Sequence, residues 1–199
     1  MLDFFLQIFS DNPALAVVLV AMCPTLESKV SIPLGLSVQI WGEATLSPFL
    51  SFLLSFLGSL LPGIIIILVV KFIKKRTSGF VCNTLLDKFI KRYDGQFKKL
   101  SEKSSTLKKC ALLATFVAVP LPLTGVYTGS LIAGLTKLKF WQGFVSIAVG
   151  ELVSCAIVLL LSTIIENSAF YVLLISLALI FVYVLFSVVL SLIKKKRDD

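Results

Sequence analysis

Three ionisable side chains stand where an oily chain has little reason to carry them: Glu27, Lys29 and Glu151. Glu27 and Lys29 lie two residues apart in the stretch P-T-L-E-S-K-V-S-I-P-L-G, Pro24 to Gly35. A charge at bilayer depth is costly unless it is paired or solvated. The two therefore read either as a mutual structural ion pair, or as working groups with proton coupling at Glu27 and headgroup contact at Lys29. Glu151 lies eleven residues after Phe140, about 16 Å along a helix, and so also near mid-membrane. No cation is close to it in sequence. It is either a proton carrier or an acceptor of hydrogen bonds from a chain break. Thr124, Gly125, Thr128 and Gly129 bring hydroxyls and backbone N–H groups to the start of a half-helix, an arrangement that favours an anion. The alternative is helix packing through small residues. Tyr127 fits a packing aromatic better than a ligand contact. The chain has no histidine, and its four cysteines (Cys23, Cys82, Cys110 and Cys155) show no metal or redox spacing. They read as small buried hydrophobes. No nucleophile–base pair and no metal cluster is visible, so neither an enzyme nor a cofactor is expected.

These groups must be positioned by apolar elements. The chain has 199 residues, 57% of them hydrophobic, and a mean hydropathy of +0.99. Soluble domains are less apolar and their apolar runs are shorter. Leu46–Ile73, Phe140–Ile165 and Ser168–Ile193 are each long enough to cross a hydrocarbon core of about 30 Å. One membrane domain over residues 1–199 is expected. Two other apolar stretches are broken. Pro24 and Pro33, with Gly35, interrupt Ala14–Trp41, and Pro120, Pro122, Gly125 and Gly129 interrupt Cys110–Leu135. Proline removes a backbone donor, and a break in lipid survives only when buried in protein or lining a water-filled cavity. Both read as re-entrant helical hairpins.

Charge placement supports this. Twelve Lys/Arg fall between Lys71 and Lys109, against Asp87, Asp94 and Glu102. Basic loops beside spans mark the cytoplasmic face, and nucleic acid is not implied. If every apolar segment crossed, Lys137, Lys139 and Lys194–Arg197 would lie outside. With both broken segments re-entrant, 18 of the 19 basic residues are cytoplasmic, the N-terminus is outside, and Lys29 is the exception. Phe80–Leu100 reads as a basic amphipathic helix on the membrane surface, with anionic lipid headgroups as its partners, and Leu2–Phe9 as an interfacial helix. The fold class is then an all-α integral membrane protein. It is an inverted repeat of re-entrant hairpin plus transmembrane helix (13–73 and 110–165), with the basic segment 74–109 between the halves and one extra C-terminal span, 168–193. Broken helices meeting at the midplane of an inverted repeat are the architecture of secondary transporters.

Two motifs carry a family resemblance. E-S-K-V-S-I-P-L-G, Glu27 to Gly35, and A-V-P-L-P-L-T-G-V-Y-T-G, Ala118 to Gly129, resemble the two signature stretches of the small multidrug export protein family, distantly related to the DedA membrane proteins. Gly58-Ser59-Leu60-Leu61-Pro62 resembles that family's G-N-x-x-P, with Ser59 in place of the amide residue. Lys29 stands where the family has Arg, which replaces a bidentate fork by a point charge. Val30 and Leu123 replace glycines. The resemblance implies paired re-entrant hairpins, a bacterial cytoplasmic membrane location and a transport role. Through the DedA relatives it implies proton-coupled translocation of a lipid phosphate such as polyprenyl phosphate. Export of small hydrophobic or cationic drugs, with Glu151 as counter-charge, is the alternative, and a non-transporting membrane assembly factor is a third. A homo-oligomer is left open. The expected pathway comprises Glu27, Lys29, Pro33, Gly35, Ser59, Pro120, Pro122, Thr124, Gly125, Tyr127, Thr128, Gly129 and Glu151.

Overall fold

The computed structural model describes residues 12–76, 105–120, 124–136 and 138–164. Those residues are helical, with no strand among them. The surface segments Leu2–Phe9 and Phe80–Leu100, the span Ser168–Ile193, the stop at Lys194–Arg197, and Pro122 and Lys137 lie outside the described residues.

α1 (Pro13–Ala21) starts after Asn12 with proline at its first position, where the missing N–H would have had no helical partner anyway. After a turn over 22–26, α2 (Glu27–Gly35) follows. The turn is tighter than the sequence implies, because Pro33 and Gly35 are accommodated inside the helix and not in the break. Gly35 fits where a Cβ would press on Ser51 and Val17. The chain leaves through a one-turn helix α3 (Val38–Trp41) and a 3-10 turn (Gly42–Ala44), which the Trp41 indole N–H ties back to the Leu34 carbonyl at 2.7 Å.

α4 (Pro48–Arg76) is 29 residues long, runs unbroken through Pro62, and reaches about 43 Å. α5 (Thr106–Ala118) ends just before Pro120, and α6 (Val126–Leu135) resumes after the second break. α7 (Phe140–Ile164) spans about 37 Å. α4 and α7 are the two described helices long and apolar enough to cross a membrane. Their outer faces are oily: Leu57, Leu61, Ile65 and Phe72 on α4, and Val145, Val149, Leu152 and Leu160 on α7 are all exposed. Apolar surface on that scale is covered by lipid. The described residues are all-helical, and the length and oily outer faces of α4 and α7 are those of a membrane protein.

Glycine contacts reveal how the short helices lie. Gly35 meets Val17 and Ser51, and Gly58 meets Val18 and Ala21, so α1 climbs the first part of α4 and α2 returns beside it. Gly63 meets Val126 and Gly134 meets Val70, so α6 descends the second part of α4. Gly150 meets Ala114 and Val117, which sets α5 along α7. At one end of the molecule Lys74 Nζ donates to the Leu135 carbonyl at 2.7 Å, Lys71 Nζ donates to the Leu138 carbonyl, and Cys110 Sγ lies 4.0 Å from the Gln142 carbonyl. The end of α4, the starts of α5 and α7 and the end of α6 therefore share one face. Both breaks point to the level of Gly58, Gly63 and Gly150.

The interior is divided. An apolar core of Leu60, Ile67, Leu113, Val117, Val126, Ala133 and Ile147 joins α4 to α7. Beside it runs a seam of buried serines. Ser51, Ser55 and Ser59 recur every four residues on α4. Ser31 Oγ donates to Ser55 Oγ at 2.7 Å and Ser51 Oγ to the Ile32 carbonyl at 3.0 Å. Small hydroxylated residues let helices approach closely where lipid offers no hydrophobic drive.

The approach of α5 to α7 is testable. A Cβ on Gly150 would strike the Ala114 carbonyl, which is backbone and cannot rotate away. Gly150→Ala is expected to cost about 1–3 kcal/mol through overpacking, read as a lowered midpoint of thermal unfolding in detergent. An unchanged midpoint would contradict this packing of α5 on α7.

Candidate functional site

The two chain breaks meet. In the first, Thr25 (φ 80°) and Glu27 (φ 49°) adopt left-handed backbone, which L-residues avoid at a cost of about 1–3 kcal/mol each. This reverses the chain so sharply that Glu27 and Lys29 open α2. They do not belong to the preceding half-helix, which ends at Ala21. Both are buried.

The Glu27 carboxylate has two donors. Lys29 Nζ lies 2.7 Å from Oε2, and the Tyr127 backbone N–H donates to Oε1 at 3.3 Å. Tyr127 is the second residue of α6, so the carboxylate occupies that helix's positive N-terminal end. Lys29 Nζ also donates to the Thr124 carbonyl at 3.2 Å. Gly125 is indispensable here, because a Cβ would overlap the Glu27 carboxylate. The Tyr127 hydroxyl donates to the Met22 carbonyl of the first break, and so Tyr127 holds the two breaks together at both ends of the residue. Thr124 Oγ1 closes its own turn by donating to the Val119 carbonyl at 2.7 Å.

Glu151 is fully buried on α7, one layer away. Ser59 Oγ donates to its Oε1 at 2.9 Å, and Cys155 Sγ sits 3.6 Å from the same oxygen. Oε2 makes no hydrogen bond. Ser28 stands beside both Glu151 and Cys155 without the geometry of a hydrogen bond, and Glu27 and Lys29 are within electrostatic reach of the carboxyl. The structure thus brings together Glu27, Lys29, Thr124, Gly125 and Tyr127, with Ser59 and Glu151 adjoining. Pro33 and Gly35 lie further along α2, and Pro120 ends α5. Gly129 packs on Val117, with Thr128 half-buried beside it on α6. Pro122 lies outside the described residues.

Sequence reasoning missed Ser28, Ser154 and the Met22 carbonyl, and read Cys155 as a plain hydrophobe. Ser154 and Cys155 were detectable, since they stand three and four residues after Glu151 and share its helix face. Nothing in the sequence marks Met22.

A family model described as "Putative small multi-drug export protein" matches residues 27–157, opening on Glu27 and closing two residues beyond Cys155. No curated protein and no solved structure matches the chain.

Removing one member of the buried pair leaves the other uncompensated, which costs about 3–5 kcal/mol. Lys29→Met should sharply lower the yield of folded protein in detergent. Adding Glu27→Gln should restore much of it. A double variant no better folded than Lys29→Met would show that Lys29 is held by something other than Glu27.

Proposed function

From a chain that belongs to the small multi-drug export protein family, we propose an exporter of small hydrophobic cations in which Glu151 is the counter-charge. The observation that carries this reading is the charge balance inside the fold. Glu27 and Glu151 are two buried carboxylates, and among the described residues Lys29 is the one buried cation near them. Glu27 uses up Lys29, and Glu151 keeps an unpartnered oxygen. A carboxylate buried at that depth recruits positive charge.

Translocation of a lipid phosphate, the reading drawn from the distant DedA relatives, has less support. An anionic headgroup needs a free cation or an open helix N-terminus. Lys29 and the start of α6 are both engaged by the Glu27 carboxylate.

The architecture we propose for this activity is an inverted repeat, α1, α2 and α4 against α5, α6 and α7, with each broken pair re-entrant from its own face. Two sets of contacts support it. The α5–α6 pair begins and ends at the face that carries Lys71 and Lys74, and the α1–α2 pair returns to the opposite end of α4. Residues that correspond between the halves also touch. Phe52 and Gly58 stand at the same spacing in α4 as Phe144 and Gly150 in α7, so Ser59 corresponds to Glu151, and these two are hydrogen-bonded to each other. Such contacts fall on the two-fold axis of a repeat. By the positive-inside bias, the basic end of α4 is cytoplasmic.

Expression in a host lacking its own efflux pumps is expected to raise tolerance to lipophilic phosphonium and quaternary ammonium compounds. Glu151→Gln should cut that tolerance roughly tenfold, the equivalent of about 1.4 kcal/mol. No tolerance from the wild type, or full tolerance from a well-expressed Glu151→Gln, would overturn the reading. Leaflet exchange of labelled polyprenyl phosphate above that of empty vesicles would favour the lipid-phosphate reading instead.

A further inference from the structure

We propose that Glu151, with the hydroxyl oxygens of Ser28, Ser59 and Ser154, forms a binding site for a monovalent alkali cation, sodium above all. Glu151 Oε2, Ser28 Oγ and Ser154 Oγ make no hydrogen bond, and all three residues are fully buried. Buried polar atoms are nearly always satisfied, because leaving one unpaired costs about 1–3 kcal/mol. Ser28 Oγ lies beside the Glu151 carboxyl group, and Ser154 Oγ stands three residues further along α7; one shared partner would satisfy all three orphaned oxygens.

Ser59 sharpens the requirement. Its single proton has two acceptors in range, the Phe56 carbonyl at 3.0 Å and Glu151 Oε1 at 2.9 Å. When the proton goes to Phe56, two oxygens face each other with nothing positive between them. A cation there resolves the contact. Ser154 is three residues after Glu151 on the same side of α7, Ser28 comes from α2 and Ser59 from α4, so the donors come from three helices.

The donor set selects the ion. Carboxylate and hydroxyl oxygens are hard ligands and suit hard cations. The neighbouring sulfur, Cys155 Sγ, is directed at Oε1 as a donor. Ionised Glu27, Lys29 and Glu151 leave a net charge of one negative unit. One monovalent ion neutralises it, and a divalent ion would overshoot. Dehydrating an ion inside a membrane protein requires several oxygens that replace its water shell, and the site supplies four side chains for this. The ion and a cationic cargo would compete for the same carboxylate, which turns the export proposed above into an exchange. The ion site stands on the orphaned oxygens alone; the exchange rests on the export reading.

The test is binding of radioactive sodium to the full-length protein in lipid nanodiscs. Saturable binding displaced by unlabelled sodium is expected, with potassium displacing more weakly. Ser154→Ala removes one ligand without changing charge and should weaken binding about tenfold, at the low end of the cost of an unpaired ligand contact. Glu151→Gln should abolish binding, while Glu43→Gln, at an exposed turn, should leave it intact. The wild type should also unfold at a higher temperature in sodium chloride than in choline chloride, and Glu151→Gln should show no such difference. Absence of displaceable sodium, or equal binding by wild type and Glu151→Gln, overturns the site. Displacement by tetraphenylphosphonium supports exchange. Sodium binding that tetraphenylphosphonium fails to displace upholds the ion site and counts against a cationic cargo at Glu151.

Discussion

The Glu27 carboxylate is shared between the Lys29 ammonium group and the Tyr127 backbone N–H, and this sharing joins the two broken segments of the chain. Each break alone would leave backbone groups unpaired in an oily surrounding, a cost that rules out isolated breaks in lipid. Together they satisfy one another. The carboxylate fills the N-terminal end of α6, Lys29 caps the Thr124 carbonyl, and the Tyr127 hydroxyl returns to Met22. Two local features exist to permit this contact. Gly125 leaves room for the carboxylate, and the left-handed backbone at Thr25 and Glu27 aims it. Strain of this kind persists only when the surroundings over-determine it. Here the long helices α4 and α7 hold the surroundings in place.

Those long helices solve a second problem. Their outer faces must be apolar for lipid, and their inner faces must approach closely enough to bury half-helices between them. Serines and glycines do the second job. Gly58 and Gly150 bring neighbouring helices to backbone contact and Gly63 receives the Val126 side chain, at the level of the two breaks; Ser51 and Ser55 bond α2 through Ile32 and Ser31, and Ser59 bonds α7 through Glu151. Hydrogen bonds of this sort contribute modestly in membranes, about 0.6 kcal/mol each. Their value lies in direction: they fix how far each helix is rotated, and so which residues reach the centre.

The electrostatics of the centre follow from that rotation. Among the described residues one buried cation stands near two buried carboxylates, and it is committed to Glu27. What remains is a buried acidic group hydrogen-bonded to one hydroxyl, while the start of α6 is already taken by the Glu27 carboxylate. The chain offered both polarities of ligand, through Lys29 and the Thr124–Gly129 stretch on one side and Glu151 on the other. Internal pairing is the ground on which we propose the cation.

Much of this was written in the sequence. Length and hydropathy determine α4 and α7 to within a few residues, because an apolar run of about 20 residues or more has the length of a membrane-spanning helix. Pro24 and Pro120 determine where the half-helices are interrupted, because a lost donor acts locally whatever the tertiary context. The proximity of Glu27 and Lys29 is likewise local. Everything that turns these parts into a site was decided by tertiary structure. The sequence could not say that Glu27 opens α2, since the backbone reversal at Thr25 has no glycine to announce it. Nor could it pair Glu27 with Tyr127, or Ser59 with Glu151, contacts that span 100 and 92 residues. In a soluble protein, apolar periodicity reveals which face of a helix turns inward. In α4 and α7 the outward face is as apolar as the core, so hydrophobicity marks no inside, and only packing through small residues chooses which side chains meet.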